Sequence, residues 1–441
     1  MSTTGDDCAA TAGAPFEPFM RRAIALARRA WGHTHPNPHV GAVIVENGKI
    51  AAEGWHERAG DAHAEINALR ALGRPPAADA TLVVTLEPCS TRGRTGACTD
   101  AIFAAGIRRV VAGATDPFPA HAGRGFALLR AAGVEVINGV LAADCADLNL
   151  IFNHRCAAEA ATAGEGKCCA AHSWADVAAA AGDAPPVVPP FIALKTAATL
   201  DGRIATRRGA SQWLTGSAAR ADVARWRHYF PAIATSAATV LADNPRLTAR
   251  VAGEPEWCPR RFILDRSGRL PPLLAEARRA GRPTGLRVFD DPFAAAQTTL
   301  VTAAGRDAAG TAGAIAAAAG AECCAGHAGA VWTLPRENFL AAFHRRCARE
   351  GVAGVYVEGG GRFLGAWLDA GLADYLFYYT APKILADADA LPAFAGTAER
   401  ALSATGGAAG AAPAFVLRDV RRELFAGDDA AGDDLLTRGF L

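Results

Sequence analysis

Three short segments of this chain carry residues that together could hold a metal ion and move a proton. They are His63-Ala64-Glu65, Pro88-Cys89 and Cys98. Zinc takes nitrogen and sulfur ligands in a tetrahedron, and a catalytic zinc keeps one corner for water. One histidine and two cysteines supply three ligands and leave that corner open. Zinc held there would bring the pKa of the water down to about 7, which supplies hydroxide at neutral pH. Glu65 stands two residues from His63. It is suited to take a proton from that water and hand it to a leaving group, as a general base and acid. Pro88 could open a short helix whose N-terminus would favour the Cys89 thiolate. Singly, each residue is better read as structural, a helix cap or a small buried side chain. Order and spacing together point to a metal.

His-x-Glu at a predicted helix start, then Pro-Cys after the next strand, matches the signature of zinc deaminases in spacing and order. The usual closing Cys-x-x-Cys is replaced here. Eight residues, Ser90 to Ala97, separate Cys89 from Cys98, and Arg92 and Arg94 are among them, so this loop could meet a phosphate. A deaminase of nucleic acid would ordinarily show the short spacing and a basic surface. Lys plus Arg is 45 against 44 for Asp plus Glu, a formal charge of +1, which speaks against a partner held through a broad basic face. A second group follows the strand Val355–Val357: Glu358-Gly359-Gly360-Gly361, then a helical pattern over Arg362–Ala370. Glycines between a strand and a helix let a phosphate approach the backbone N–H groups at the helix start.

The elements that must carry these groups are legible in the periodicity. Phe16, Phe19, Met20, Ala23, Ala27 and Ala30 predict a first amphipathic helix ending near Gly32. Val40–Val45 and the run around Ile50 predict two strands joined at Asn47-Gly48, a strong hairpin signal. A helix over His63–Leu72, a strand over Thr81–Thr85 and a helix from Cys98 to Ala105 follow. A strand at Arg108–Gly113, a helix near Arg124–Ala132 and a strand at Val134–Ile137 complete the run. Strands alternating with helices predict a three-layer α/β domain. A second α/β region starts at Phe191–Ala197. It continues with a helix near Ser217–His228, a strand at Arg261–Asp265, the strand-glycine-helix unit at Val355–Ala370 and a strand at Tyr375–Thr380. No element is assigned to residues 292–330 or 386–441, which are rich in Ala and Gly.

The expected division is a loose tail at 1–15, an α/β domain with the candidate zinc site at 16–155, a linker or insertion at 156–190 and a second α/β domain at 191–441. The chain has 441 residues, 51% hydrophobic and 20% charged, enough for two or three packed domains. The longest stretch without Asp, Glu, Lys or Arg, Ala401–Leu417, is mostly Ala and Gly and reads as no membrane span. No secretory signal is visible at the N-terminus. Eleven scattered cysteines, an odd number, fit a reducing cytoplasm in which a few serve as metal ligands. Cys168, Cys169 and His172 have poor spacing for a second metal site and are read as part of an insertion.

TLEPCSTRGRTGACTDAI, with NPHVGAVIV and HAEINAL upstream, resembles the deaminase half of the bifunctional deaminase/reductases of riboflavin biosynthesis. LKTAATLDGRIAT, SQWLT, TVLADNPRLTAR and VEGGGRFLGAWLDAGLADYLFYYTAPKIL resemble the reductase half, in the same order. The resemblance spans most of residues 16–155 and about 190–385. It implies a cytidine-deaminase-like three-layer α/β domain followed by a dihydrofolate-reductase-like α/β domain, with zinc and NADPH as cofactors. The implied reaction is hydrolytic deamination of 2,5-diamino-6-(5-phosphoribosylamino)pyrimidin-4-one, then NADPH-dependent reduction of the ribosyl to a ribityl side chain. The resemblance makes His63, Cys89 and Cys98 the zinc ligands and Glu65 the proton carrier. It has Asn37 help hold the pyrimidine and Arg94 take the ribose phosphate. Ser211, Arg227, Leu247, Arg250 and Glu358 match substrate-contacting positions, and Ala197, Trp213, Thr239, Asp243 and the stretch from Gly360 through Gly361 and Arg362 to Ala366 match positions lining NADPH.

Chemistry adds to this. Arg227 and Arg250 suit phosphate, and Lys195 could donate to a ring carbonyl or sugar oxygen. Arg266, just after a predicted strand, is a candidate for the NADPH 2′-phosphate. The chain departs from the family at Thr91, Gly96-Ala97 and Phe118. A paralogue with an altered or inactive reductase half, serving another pyrimidine-derived metabolite, is the rival reading. A zinc-stabilised scaffold and a nucleic-acid deaminase are more distant ones. The expected partner is a small pyrimidine ribose phosphate, with neither nucleic acid nor membrane, in a homo-oligomer.

Overall fold

A computed structural model describes residues 13–91, 96–119, 121–163, 188–304, 330–401, 412–427 and 432–441. The chain divides into two compact units, Met1–Val188 and Pro189–Leu441.

In the first unit, helix α1 (Glu17–Arg28) buries Met20, Ala23, Ile24 and Ala27 against the sheet. Strands β1 (Gly41–Glu46) and β2 (Lys49–Trp55) form the expected hairpin. Asn47 and Gly48 both take positive φ, 48° and 69°, the backbone that a tight two-residue turn between twisted strands requires. Helix α2 (Ala64–Leu72) precedes β3 (Thr81–Leu86), and helix α3 (Cys98–Ala105) precedes β4 (Arg109–Ala114). Helix α4 (Arg124–Ala131) leads to β5 (Glu135–Asn138). The sheet order is β2-β1-β3-β4-β5. β1 is antiparallel to β2 and β3, while β3, β4 and β5 are parallel. Every residue of β1 and β3 is buried, as expected for strands covered on both faces. Two glycines let backbones touch. A Cβ on Gly41 would overlap the Ala23 carbonyl of α1, and one on Gly54 would overlap Ala64 and Ala68 of α2.

Helix α5 (Ala142–Asp147) and helix α6 (Leu150–Ala163) follow. This corrects the expected linker start at Cys156, because the helix continues through it. Leu150, Ile151 and Cys156 are buried, and the Ala-rich composition read as loop is helix-forming. The rest of the expected insertion, with Cys168, Cys169 and His172, lies outside the described residues.

The second unit holds a nine-stranded sheet. Its strands are β6 (Phe191–Thr199), β8 (Ala232–Ser236), β9 (Arg260–Asp265), β10 (Thr298–Ala303), β11 (Val331–Leu334), β12 (Gly354–Glu358), β13 (Tyr375–Ala381), β14 (Arg418–Phe425) and β15 (Asp434–Phe440), in the order β11-β10-β9-β8-β12-β6-β13-β15-β14. The strands from β11 to β13 are mutually parallel, and β15 and β14 add antiparallel at one edge. A short strand β7 (Arg203–Ala205) pairs with Leu391–Pro392. Helices α7 (Ser217–Tyr229), α8 (Ala237–Asp243), α9 (Leu270–Arg279), α10 (Phe339–Arg349) and α11 (Gly361–Asp369) connect the strands. Ile192, Leu194, Phe262, Val301, Phe343, Val357 and Trp367 form its core. β10, β14 and β15 fall in stretches to which the sequence assigned no element. No helix among the described residues is long and apolar enough to cross a membrane.

Candidate active sites

His63 caps the N-terminus of α2 with extended backbone, and Glu65 lies in the helix's first turn, 3% exposed. The Gly54 contact seats this turn directly on β2. Cys98 is the first residue of α3. Cys89 lies in the irregular stretch after β3, so Pro88 opens no helix, contrary to expectation. The helix N-terminus near Cys89 belongs instead to α3, because the Cys98 N–H donates to Cys89 Sγ at 3.3 Å. His63 Nδ1 is 3.2 Å from Cys98 Sγ and 3.5 Å from Cys89 Sγ. Tetrahedral zinc bonds of ordinary length place nitrogen and sulfur ligands about 3.6 Å apart. The three atoms therefore fit one ion, and among the described residues they form the one cluster of this kind. The hydrogen bond from Cys98 holds the Cys89 thiol far below its ordinary range, against burial and with help from His63. Burial pushes the Glu65 carboxyl up, which suits a group that must carry a proton.

The cavity over these ligands is lined by Asn37, His56, Phe118, His121, Phe152 and Arg155 among others. His56 Nδ1 lies 3.1 Å from the Ala62 carbonyl, to which it donates. Its Nε2 then accepts from the Asn37 amide at 3.3 Å, which fixes the end of Asn37 that meets it. His56, Phe152 and Arg155 were not singled out in the sequence. The Arg155–Glu159 pair, at i,i+4 on α6, was the available signal. Arg94 lies outside the described residues.

In the second unit, Lys195, Arg227 and Glu358 come together. Glu358 and Lys195 are neighbours in the β12–β6 register. Arg227, on α7, makes a two-pronged pair with Glu358, 2.7 Å on each prong, and donates to the Thr248 carbonyl at 3.3 Å. The guanidinium read from sequence as a phosphate ligand is thus held by a carboxylate. Burial lowers the Lys195 ammonium's pKa. Ala197 shares the Lys195 face of β6. Leu247 is buried at φ 56° beside Thr248, Arg250 is exposed, and Ser211 is half-buried. Trp213 is 65% exposed, with the Arg220 guanidinium 4.8 Å from its ring.

Gly360 caps α11, and a Cβ there would meet nothing within 4 Å, whereas one on Gly361 would overlap the Pro392 carbonyl. Thr239 Oγ1 borders Gly359. Asp243 ends α8, its carboxyl pushed up by burial. Arg266 and Arg362 line one groove together with Arg269 and Arg336. Open backbone at a nine-residue helix start and a groove with four guanidinium groups form a donor set suited to a phosphate-rich dinucleotide.

Residues 15–114 match the cytidine and deoxycytidylate deaminase zinc-binding region, and residues 190–406 match the RibD C-terminal domain. Riboflavin biosynthesis protein RibD of Escherichia coli is 36% identical over 382 residues, 84% of this chain and 88% of that protein. The chain belongs to the RibD family. RibD of Bacillus amyloliquefaciens is 35% identical over 370 residues, covering 84% and 85% of the two chains. The Thermotoga maritima diaminohydroxyphosphoribosylaminopyrimidine deaminase/5-amino-6-(5-phosphoribosylamino)uracil reductase superposes with a TM-score of 0.65 at 30% identity, covering 97% of this chain and 99% of that one. Acinetobacter baumannii RibD gives 0.61 at 28%, with the same coverage. As a RibD enzyme the chain pairs a cytidine-deaminase-like zinc domain with an NADPH-dependent RibD reductase domain.

Proposed function

We infer that the first unit deaminates the diaminopyrimidine ribose phosphate and the second reduces its ribosyl chain, in riboflavin biosynthesis. His63, Cys89 and Cys98 hold zinc, which when bound lowers the pKa of a water and so supplies a nucleophile. Glu65, walled off from solvent, takes the proton at its carboxylate and delivers it to the departing amine. Asn37, set by His56, holds the pyrimidine edge. Arg94 is assigned to the phosphate.

In the second unit, Lys195 donates to a substrate oxygen. The Glu358–Arg227 pair orients the pyrimidine, and Glu358 favours the charged form of Lys195 against burial and Arg227. Ser211, Leu247 and Arg250 complete that site. Gly360, Gly361, Arg362, Ala197, Trp213, Thr239 and Asp243 hold NADPH, with Arg266 at its 2′-phosphate. Hydride transfer is the cofactor's chemistry, and the chain contributes positioning. The observation that carries this reading is the His63–Cys89–Cys98 triangle with the buried Glu65 beside it. The near-zero net charge favours a small-molecule substrate over nucleic acid, the scattered cysteines favour a reducing cytoplasm, and we assign the enzyme to a homo-oligomer.

The test is incubation of the zinc-loaded protein with the diaminopyrimidine substrate, with and without NADPH, followed by mass spectrometry. A gain of one mass unit, then two more only with NADPH, is expected. Glu65→Gln should keep its zinc and lose deamination by about 10²- to 10⁴-fold. Deamination that survives in that variant overturns the assignment.

A further inference from the structure

We propose that Glu87 is a positioning residue for deamination, whose carboxylate holds Asp116 and the Gly123–Phe126 turn in place and with them the cavity wall formed by Phe118 and His121. The proposal rests on the reading of the first unit as a deaminase.

Glu87 follows β3 and precedes the ligand Cys89 by two residues. It is 6% exposed, and both carboxylate oxygens are engaged. Oε2 accepts from the Asp116 N–H at 3.1 Å and the Gly123 N–H at 2.9 Å. Oε1 accepts from the Gly125 N–H at 2.8 Å and the Phe126 N–H at 3.4 Å. Gly123, Gly125 and Phe126 form the start of α4, where backbone N–H groups have no partner within the helix. Glu87 thus caps a helix that begins 37 residues further along the chain. A negative charge at a helix N-terminus is favoured both by the hydrogen bonds and by the helix dipole.

The same carboxylate grips both ends of one segment, with Asp116 at one end and Gly123 to Phe126 at the other. Between them lie Phe118 and His121, which line the cavity together with Asp116. The segment is also braced from within. Asp116 Oδ1 accepts from the Phe118 N–H at 2.9 Å, and the His121 N–H donates to the Phe118 carbonyl at 2.9 Å. The seam with Glu87 is close. A Cβ on Gly125 would overlap the Pro88 carbonyl and come within 3.1 Å of Glu87 Oε1. One side chain therefore ties the strand end that leads into Cys89 to the wall built by Phe118 and His121. Both oxygens are engaged by backbone N–H groups, so Glu87, which itself borders the cavity, acts through the segments it holds.

Glutamine at this position keeps the shape but turns one end into an NH₂ donor facing two N–H donors, so half of the grip is lost. In the full-length, zinc-loaded protein, Glu87→Gln should keep wild-type zinc content and wild-type NADPH-dependent reduction of the deaminated substrate. Its KM for deamination should rise about 10- to 100-fold while kcat stays within about threefold, because the wall is displaced and the ligands are not. Gly125→Ala, which forces the same seam apart without touching a charge, should shift KM in the same direction. It decides the matter alone if Glu87→Gln does not fold. KM within about twofold of wild type in the folded variants, loss of zinc, or a fall in kcat at unchanged KM would overturn the proposal. A wild-type protein that releases no ammonia would instead refute the deaminase reading itself.

Discussion

Glu358→Gln and Arg227→Met are predicted to be unequal, although they remove the two ends of one ion pair. The side chains of Arg227 and Glu358 are 18% and 12% exposed, and Lys195 stands next to Glu358 in the sheet. Removing the carboxylate leaves a guanidinium and an ammonium facing each other with no counter-charge. Breaking a buried pair in this way costs about 3–5 kcal/mol. Removing the guanidinium leaves Glu358 with Lys195 as its partner, so the loss is nearer that of charged hydrogen bonds, about 1.5–3 kcal/mol. Deprotonation of Lys195, already eased by burial, sets the upper limit on the cost of Glu358→Gln. The two units need not unfold together. The assay is therefore hydrogen exchange in rising urea, read on peptides covering Ser217–Tyr229 and Gly354–Glu358. If the 3 kcal/mol also falls on the transition state, reductase kcat/KM drops about 100-fold, at 1.36 kcal/mol per decade. Deamination should be unchanged. The reverse order of the two variants, or losses below about 1 kcal/mol for both, as for an exposed pair, would refute the reasoning.

Burial pushes the Glu358 carboxyl up, but Arg227 and Lys195 outweigh it, and its pKa ends below the ordinary value. A depressed carboxylate stabilises the fold fully above the unfolded pKa of about 4.3 and loses that contribution as pH falls through the folded value. The stability gap between wild type and Glu358→Gln, followed on the same peptides, should therefore close below about pH 4. Asp291→Asn should destabilise the second unit by about 3–5 kcal/mol. Its partner Arg261 is fully buried, with both prongs on Asp291 at 2.6 and 2.9 Å and further bonds to Thr298 Oγ1 and the Arg246 and Val288 carbonyls. Urea unfolding read on β9 peptides checks this, and a loss under about 1 kcal/mol contradicts it. Arg266→Ala should raise KM for NADPH about 10- to 100-fold, the worth of one charged hydrogen bond, and leave KM for NADH unchanged. An unaltered NADPH/NADH preference removes Arg266 from the 2′-phosphate.

The sequence revealed what is local. Asn47-Gly48 marked the hairpin because two positive φ angles leave few residue choices. His63 and Glu65 were legible because they share one helix start, and Cys89 and Cys98 because they flank one loop. The strand-glycine-helix unit at Glu358 was legible for the same reason. Contacts between distant segments were not. Glu358 meets Arg227 across 131 positions and Glu87 meets Phe126 across 39. A carboxylate that binds backbone N–H groups leaves no trace in the types of its partners. The linker was started too early, at Cys156, because alanine serves loop and helix alike, whereas Cys156 is buried within α6. β14 was missed because it is largely exposed and shows little of the alternation that marks a half-buried strand.

The glycines at 41 and 54 have a practical meaning for anyone wishing to redirect this catalyst. Main chain rests on main chain there, β1 on α1 at Gly41 and β2 on the proton carrier's helix at Gly54, so a side chain added at either position would drive a helix off the sheet. Novel substrates are better sought by varying Phe118, His121 and Phe152, whose replacement reshapes the chamber without disturbing its floor.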